Sequence, residues 1–337
     1  MKKIMIVLIL IFTTACSPKQ EQVPLFIYDM DDAYMAVFEA QIQASLTDSF
    51  LVKTYDGHNS QIIQNDDINL LFNQKAPVLI INPVDRLSVY AIIEKAKANN
   101  TKIIFFNREP LAEDMNLYDS VYYVGADAIE SAQLQAQIVM ELFGNDPNNL
   151  NEADQNKDGI IQAVILKGEQ GHQDAEARTK YVIETLTIAG YSVEVLEVTI
   201  ANFDQDQGQA AMDHLLTLYG SDIEVVISNN DAMAMGAIIS LTNNGYFQDT
   251  NNDGYIDRQT ERWLPVVGID GLDVAIDKID HGYLYGTVFN DSQNMAEAII
   301  ELADYLLNGK DLSKMEYSLS DGKYIWISYQ KITKTEN

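Results

Sequence analysis

Cysteine is almost absent from this chain: Cys16 is the only one in 337 residues. A lone cysteine has no partner within its own chain, so intramolecular disulfide bonds are excluded as a source of stability. The apolar core must therefore hold the fold together. With 47% hydrophobic residues the chain can bury two ordinary cores, since single domains mostly span about 100–200 residues. We expect two lobes.

Positive charge is also scarce. The chain holds 22 lysine and arginine residues against 50 aspartate and glutamate residues, which gives a net charge of −28. A surface this acidic repels the phosphate backbone of nucleic acids, so we expect no nucleic-acid partner. It suits a protein that works outside the cytoplasm and holds cations.

The motifs that mark common enzymes are missing as well. The sequence contains no Ser/His/Asp arrangement, no zinc-ligand spacing and no glycine-rich phosphate loop, the segment around Gly236 included. One enzymatic interpretation stays open, since Asp32, Asp174 and Asp270 could supply a pair of glycosidase carboxylates. We expect no enzyme activity.

The N-terminus has the three-part pattern of a secretory signal. Lys2 and Lys3 precede an apolar run from Ile4 to Phe12, and small residues follow just before Cys16. The apolar run is too short to span a bilayer as a helix. This pattern predicts export from the cytoplasm.

Cys16 stands where such a signal would be cleaved. The segment resembles bacterial lipoprotein signals, although Thr13 occupies a position where those signals usually have leucine. The resemblance implies that Cys16 carries a lipid anchor, and the polar stretch Ser17 to Gln22 then predicts a tether. Residues 1–22 are thus predicted to be signal peptide and tether.

Apolar runs alternate with stretches of helical period, which is the βαβ rhythm of a doubly wound parallel sheet. Predicted strands are Leu25–Tyr28, Phe50–Tyr55, Val78–Ile81, Lys102–Phe106, Tyr122–Val124, Ile161–Lys167, Val193–Ile200, Val225–Ser228, Val266–Ile269 and Tyr285–Val288. Predicted helices start near Asp32, Ser60 and Leu87 and run over Ile129–Phe143 and Glu176–Ala189. The rhythm restarts midway, which predicts an α/β protein with two Rossmann-like lobes.

Short polar side chains stand just after several predicted strands. They are Asp32, Asn107, Asn230, Asp270 and Asn290. Open α/β sheets bind ligands beyond the carboxyl ends of their strands, so these side chains are candidates for one site. Each taken alone is more simply a helix cap or turn former, and that interpretation stays open. Together they donate and accept hydrogen bonds, as neighbouring hydroxyls require.

The segment from Asp154 to Gly159 places oxygen-bearing side chains at alternate positions around a glycine turn. The candidate ligands are Asp154, Asn156, Asp158 and Gln162. This spacing is how a single loop surrounds a hard cation such as Ca²⁺. The twelfth position, where an EF-hand has its bidentate glutamate, is Ile165, so a carboxylate must come from elsewhere. The alternative is an acidic, solvated loop.

Several segments of the sequence resemble those of a known family and occur in the same order along the chain. They are Asp31-Asp32, Phe105 to Pro110, Tyr122 to Gly125, Lys167 to Arg178, and Glu224 to Gly236. Over roughly Val23 to Ile332 the chain resembles the periplasmic galactose/glucose-binding proteins that supply ABC transporters and chemoreceptors. The resemblance implies two lobes, residues 23–125 plus 290–326 and residues 126–289 plus 327–337. A three-segment hinge near Gly125, Phe289 and Trp326 would join them.

In that family the two lobes close on one hexose. The matching polar positions are all filled here: Asp32, Asn107, His172, Asp174, Arg178, Asn230, Asp270 and Asn290. An unpaired buried polar group costs about 1–3 kcal/mol, so a sugar enclosed between lobes needs a partner for each hydroxyl. Two plainer interpretations stay open: His172 as a surface loop residue, and Asp174 with Arg178 as a local helical ion pair.

The family also stacks the sugar between two aromatic side chains. The matching positions here are Tyr34 and Phe203. Phe203 stands where the family has tryptophan, so it offers a smaller surface and no indole N–H. Stacking is preserved, because the C–H faces of a pyranose pack on any aromatic ring.

The resemblance also completes the cation loop. It implies that Glu224 supplies the missing carboxylate and that Ile160 contributes its backbone carbonyl, so that a structural Ca²⁺ braces the distal lobe. A second loop repeats the oxygen spacing at Asp249, Asn251, Asp253, Tyr255 and Asp257. Its twelfth position is Thr260, with Glu261 one place later. We interpret this loop as a possible second Ca²⁺ site, with an acidic turn as the alternative.

The leading functional hypothesis is a lipid-anchored receptor for glucose or galactose at the periplasm or cell surface. It would act as a monomer, close around its sugar and deliver it to an ABC transporter permease. A sensor that presents the closed form to a chemoreceptor would use the same lobes.

Overall fold

The computed structural model describes residues 20–334, so the predicted signal and Cys16 lie outside the described residues. The predicted tether is too long: Glu21 and Gln22 belong to the first strand and pair with Phe50 and Leu51. Both side chains are exposed at the end of the strand, which is why their polarity suggested a tether. In this range, none of the helices has the length and apolar character that crossing a bilayer requires.

Strands and helices alternate along most of the described chain. The first elements are β1 (Glu21–Ile27), α1 (Ala33–Ala44), β2 (Phe50–Asp56), α2 (Gln61–Asn73), β3 (Val78–Ile81), α3 (Tyr90–Asn99), β4 (Lys102–Phe106), α4 (Ala112–Met115) and β5 (Val121–Gly125). The middle elements are α5 (Ala128–Leu142), β6 (Ile161–Lys167), α6 (Gln173–Ile188), β7 (Val193–Ile200), α7 (Gln205–Tyr219), β8 (Val225–Ser228), α8 (Asp231–Asn243), β9 (Val266–Val267), α9 (Asp273–Asp280) and β10 (Gly286–Phe289). The last are α10 (Ser292–Asn308), β11 (Tyr324–Trp326) and β12 (Gln330–Thr333).

The strands form two six-stranded sheets. The first has the order β11-β5-β4-β3-β1-β2 and is parallel throughout. The second has the order β12-β10-β9-β8-β6-β7, and its edge strand β12 runs antiparallel to β10. The prediction of two doubly wound parallel sheets is therefore confirmed except at this edge, where a short strand enters from the last crossing.

Helices cover both faces of each sheet. In the first lobe α1 and α10 pack on one face, while α2 and α3 pack on the other. In the second lobe α5 and α6 share one face, and α7, α8 and α9 share the other. Central strands such as β3 are buried at every residue. Burial on both faces is what makes such strands continuous apolar runs in the sequence.

The chain crosses between the lobes three times. The crossings follow Gly125, Phe289 and Trp326, the three positions at which the hinge was predicted. The carboxyl ends of the strands in both sheets face the space between the lobes. Residues that follow these strands therefore meet across one cleft.

Candidate functional site

The structure brings all ten predicted ligand-binding residues together around one cavity between the lobes. They are Asp32, Tyr34, Asn107, His172, Asp174, Arg178, Phe203, Asn230, Asp270 and Asn290. Tyr28 and Met35 also line the cavity and were not predicted. The space left unfilled by protein atoms there, open solvent included, is about 350 Å³.

Three of these residues cap helices, as the simpler interpretation proposed, and line the cavity as well. Asp32 accepts from the Met35 N–H at 2.8 Å and from the Tyr28 hydroxyl at 2.6 Å. Asn230 caps α8, and His172 caps α6, which begins three residues earlier than predicted. Capping holds these side chains in one orientation, so the cavity wall is organised before a ligand arrives.

Arg178 connects the polar groups of the second lobe. Its guanidinium donates to the Asn229 carbonyl at 2.8 Å, to the Tyr329 hydroxyl at 3.2 Å and to Asp174 at 3.4 Å. It also lies 3.9 Å from a carboxylate oxygen of Asp270. The helical pair of Asp174 and Arg178 is thus present, but it forms part of a larger network that faces the cavity.

Asp270 is held in an unusual backbone conformation. Its φ is +130°, a region that non-glycine residues rarely adopt. The buried carboxylate of Asp231 accepts from the N–H groups of Gly271 and Leu272 at 2.7 and 3.0 Å, and from the Thr287 hydroxyl at 2.7 Å. These bonds keep the strained turn in place, and strain maintained in this way is common at binding sites.

Sequence reasoning missed Asp231 and Tyr329. Asp231 follows Asn230 and has the ordinary pattern of an acidic residue at the start of a helix. Tyr329 follows the last predicted crossing by three residues, and that proximity is the only signal that pointed toward the cleft.

Phe203 forms one aromatic wall of the cavity. Its φ is +61°, and its ring makes an edge contact with the His172 ring at a centroid distance of 5.1 Å. A Cβ atom on Gly168 would lie 2.1 Å from the Phe203 ring, so only glycine fits there. The smaller aromatic is therefore packed tightly in place opposite Tyr34.

Four buried polar atoms on the cavity wall lack hydrogen-bond partners within residues 20–334. They are Tyr34 Oη, Asp174 Oδ1, Arg178 Nε and Asn290 Oδ1. Each unpaired buried group costs about 1–3 kcal/mol. Because the four include donors and acceptors, a ligand with several hydroxyl groups would satisfy them together.

An ion pair crosses the cleft beside the cavity. Arg108 of the first lobe donates to Glu169 of the second at 3.1 Å, and its guanidinium lies over the Tyr28 ring at 3.7 Å. Arg108 is buried and Glu169 is half-buried, so the pair is partly shielded from solvent. It links the two lobes in their closed arrangement.

The predicted cation loop folds around Glu224, as expected for its missing carboxylate. Glu224 is buried and accepts from the N–H groups of Gln155 at 2.7 Å and Gln162 at 3.3 Å. One oxygen of Asp154 accepts from the Gly159 N–H at 3.0 Å. Its other oxygen, Oδ1, is buried without a hydrogen-bond partner in the described chain.

The amides of the loop surround Asp158. Asn156 and Gln162 donate to one Asp158 oxygen at 3.1 and 2.9 Å. A 180° rotation of either side-chain amide group would present its oxygen atom in place of its nitrogen. Within residues 20–334, no three His, Cys, Asp or Glu side chains are gathered in the manner of a metal centre. The loop takes half of its predicted ligands from amides and the Ile160 carbonyl, a donor set that suits Ca²⁺. The unpartnered Asp154 oxygen fits such an ion.

The second loop has the same hydrogen-bond pattern. Glu261, one position after the twelfth in the sequence, corresponds to Glu224 of the first loop. It accepts from the N–H groups of Thr250 at 2.5 Å and Asp257 at 3.0 Å. The Asp249 carboxylate likewise accepts from the Gly254 N–H at 2.9 Å. Every carboxylate oxygen in this loop already accepts a hydrogen bond. Calcium binding at Asp249, Asn251, Asp253, Tyr255 and Asp257 stays a prediction.

Comparison with known proteins decides the family. Residues 23–311 match the periplasmic binding protein domain. The chain belongs to the periplasmic binding protein family. It is 36% identical, over 91% of its length and 88% of the relative's, to the D-galactose/methyl-galactoside binding periplasmic protein of Haemophilus influenzae. It is 26% identical to a putative rhizopine-binding protein of Rhizobium meliloti, over 90% of this chain and 89% of that one.

Solved structures share the two-lobed fold. An ABC transporter solute binding protein of Bacillus halodurans C-125, solved with myo-inositol, has a TM-score of 0.74 at 23% identity and covers 94% of this chain and 96% of its own. A second, from Actinobacillus succinogenes 130z with D-allose, has a TM-score of 0.75 at 17% identity, over 93% and 98% of the two chains. At these identities the similarity shows the fold alone.

Burial changes the acid–base behaviour of the cleft in this binding protein. It raises the pKa of Asp32, Asp174 and Asp270, because the ionised carboxylates lose solvent, although Arg178 partly opposes the change at the last two. Burial, with the nearby positive charge of Arg108, lowers the pKa of His172 well below its usual value, so the imidazole is neutral at pH 7. The cavity thus presents carboxylates, a neutral imidazole and a cationic guanidinium.

Proposed function

We propose that this protein is a lipid-anchored, extracytoplasmic receptor that captures D-glucose or D-galactose and delivers it to an ABC transporter permease. The observation that carries the proposal is the set of four unpartnered buried polar atoms around one cavity, on side chains from both lobes. A pyranose offers several hydroxyls that donate and accept, so one molecule can pair with all four. The family is one of binding domains, which favours a receptor over a glycosidase.

The relatives support a sugar ligand of this size. The Haemophilus influenzae protein is named for galactose and methyl-galactoside, and the solved relatives hold myo-inositol and D-allose. Each of these molecules contains a polyhydroxylated six-carbon unit that is cyclic or able to form a ring. Tyr34 and Phe203 provide the aromatic surfaces against which the C–H faces of such a ring pack.

Capture depends on contacts that span the lobes. Asp32, Tyr34 and Asn107 belong to the first lobe, whereas Asp174 and Arg178 belong to the second, so one bound sugar joins them. A ligand that contacts both lobes binds the closed form better than open forms and therefore shifts the population toward closure. The ion pair of Arg108 and Glu169 adds to the closed form only, because opening would separate its partners.

Isothermal titration calorimetry of the purified protein against a panel of monosaccharides tests this function. We expect one sugar per chain, with glucose or galactose the tightest and pentoses weaker. Nitrophenyl glycosides incubated with the protein should release no product in excess of a buffer control. Absence of heat with every monosaccharide would contradict the proposal.

Sugar binding is expected to release protons in mildly acidic solution. Burial raises the pKa values of Asp32, Asp174 and Asp270 above the ordinary 3.8. Sugar hydroxyls that donate to the ionised carboxylates would lower the pKa values of Asp32, Asp174 and Asp270 again. The bound form then holds fewer protons, so affinity should fall as the pH drops through the raised pKa values of these carboxyl groups.

Calorimetry at pH 5 in two buffers of different ionisation enthalpy measures this release. The apparent binding enthalpy should differ between the buffers in proportion to the protons released. At higher pH, once the carboxyl groups are ionised in both the free and the bound form, the difference should vanish. Equal enthalpies at pH 5 would contradict the linkage.

We further propose that the first loop holds a structural Ca²⁺. The ligands would be Asp154, Asn156, Asp158, Gln162, Glu224 and the Ile160 carbonyl. A divalent cation would neutralise the carboxylates gathered there and tie the loop before β6 to the start of β8. None of these residues lines the central cavity, so the ion would stabilise the second lobe without contact with the sugar.

Replacing Cys16 with serine is expected to move the protein from the membrane fraction to the soluble fraction, because serine has no thiol to carry the lipid. Ser17→Ala, which leaves Cys16 intact, is the matched control and should stay with the membrane. Fractionation followed by immunoblotting measures both. A Cys16→Ser protein that remains in the membrane would contradict the anchor.

A further inference from the structure

The hydroxyl of Tyr34 is buried without a hydrogen-bond partner among residues 20–334. The residue is 6% exposed, and its Oη atom lies on the wall of the central cavity. Stacking against a sugar needs only the ring, and phenylalanine would supply that ring without the cost of burying a hydroxyl. Packing alone therefore does not account for a tyrosine at this position.

Tyr34 lines the cavity together with members of the polar network around Arg178. Besides burial, which is the main cause, the groups that act on its pKa are Tyr329, Asp270, Arg178 and Asp291. The first three belong to the network around the Arg178 guanidinium. Tyr34 thus forms part of the cavity wall, and the charges of that network act on its hydroxyl.

Asn290 also carries an unpartnered buried atom and lines the same cavity. It is 3% exposed, and its Oδ1 accepts no hydrogen bond from the described residues. Tyr34, Asp270 and Asn290 line both the central cavity and an adjoining outer cavity between α1 and α9, so they stand together where the two cavities meet. Tyr34 offers a donor and Asn290 an acceptor, the pair that a single ligand hydroxyl satisfies.

We propose that the Tyr34 hydroxyl and the Asn290 amide oxygen together bind one hydroxyl group of the ligand. Tyr34 is then a specificity-determining residue as well as a stacking surface. The inference rests on the proposed sugar-binding function and refines it, because a sugar that lacks this hydroxyl would leave both buried atoms unpaired. Sites that bind a hydroxyl through buried partners discriminate strongly against analogues without it.

The test compares the wild type with Tyr34→Phe by calorimetry, using the preferred hexose and its series of monodeoxy analogues. The wild type should bind one analogue at least about 10-fold more weakly than the parent sugar, as expected when buried partners are left unpaired. Tyr34→Phe should bind the parent sugar about 10-fold more weakly but bind that one analogue as well as the wild type does. Asn290→Ala should lose discrimination at the same carbon.

Sugar-free melting temperature provides the control for folding. Tyr34→Phe removes an unpaired buried hydroxyl, so it should melt at or above the wild-type temperature. Parent-sugar affinity unchanged by Tyr34→Phe would overturn the inference, as would an equal loss for the parent and every analogue. If the wild type binds no monosaccharide, both the proposed function and this inference are overturned. If the wild type binds the sugar and Tyr34→Phe binds it with the same affinity, this inference alone is overturned.

Discussion

Replacing Arg178 with alanine is expected to abolish measurable hexose binding. The guanidinium donates to Asn229, Asp174 and Tyr329, and it lies 3.9 Å from Asp270. Asp174 and Asp270 are each 6% exposed, so removal of the cation leaves two carboxylates buried without their counter-charge. Truncating one partner of a buried charge pair in a binding site costs about 2–5 kcal/mol of binding free energy, so affinity should fall by roughly 30-fold or more.

Lys180→Ala is the matched control for Arg178→Ala. Lys180 lies on the same helix, but its side chain is 65% exposed, approaches Glu184 at 4.0 Å and contacts the exposed side of the neighbouring Tyr181. Its loss should leave the Kd unchanged, since exposed ion pairs contribute little. Asp270→Ala should weaken binding by roughly 2 kcal/mol or more, because it leaves a buried partner unpaired. Calorimetry that finds wild-type affinity in Arg178→Ala would contradict the binding role of this network.

Chelation of calcium is expected to lower the melting temperature of the wild type. A ligand present at 100 times its Kd stabilises the folded state by about 2.7 kcal/mol. In a lobe of this size, that corresponds to a shift of about 5 °C or more. Differential scanning calorimetry with EDTA, and again after calcium is restored, measures the shift and its reversal.

Two substitutions test whether the effect of chelation on the melting temperature arises at the first loop. Glu224→Gln should melt in calcium near the temperature of the chelated wild type, and EDTA should not lower it further, because the closing carboxylate is gone. Glu184→Gln, on the exposed face of α6, should keep the full shift. Hexose affinity at a temperature where all variants are folded should be preserved in Glu224→Gln, since the loop does not line the cavity. If EDTA leaves the melting temperature of the wild type unchanged, the calcium proposal is contradicted.

Much of the fold could be predicted because the strands are buried on both faces. Val78–Ile81 and Val225–Ser228 were predicted with the bounds that the structure has, since a fully apolar run between polar segments has few alternatives. The short strands β11 and β12 were missed. They pair with strands far away in the sequence, and three or four residues carry too little pattern of their own.

The gathering of the site was predictable for a topological reason, whereas its supporting contacts were not. Residues after parallel strands share one edge of a sheet, so Asn230 and Asn290 had to lie near one another in the second lobe, and Asn107 at the same edge of the first sheet meets them across the cleft. The partners that hold the site are distant in sequence. Arg178 meets Tyr329 across 151 positions and Arg108 meets Glu169 across 61, and neither spacing follows a local period.

The three crossings between lobes also determine the order in which the two halves can be completed during synthesis. The second lobe draws all but its edge strand β12 from one continuous segment, residues 126–289. The first lobe waits for α10, whose Met295, Ile299 and Leu302 cover one face of its sheet, and for the edge strand β11. A nascent chain that ends at Phe289 therefore leaves exposed the part of this sheet face that α10 covers. The first lobe, whose residues are translated first, is therefore among the last parts of the protein to complete the burial of its core.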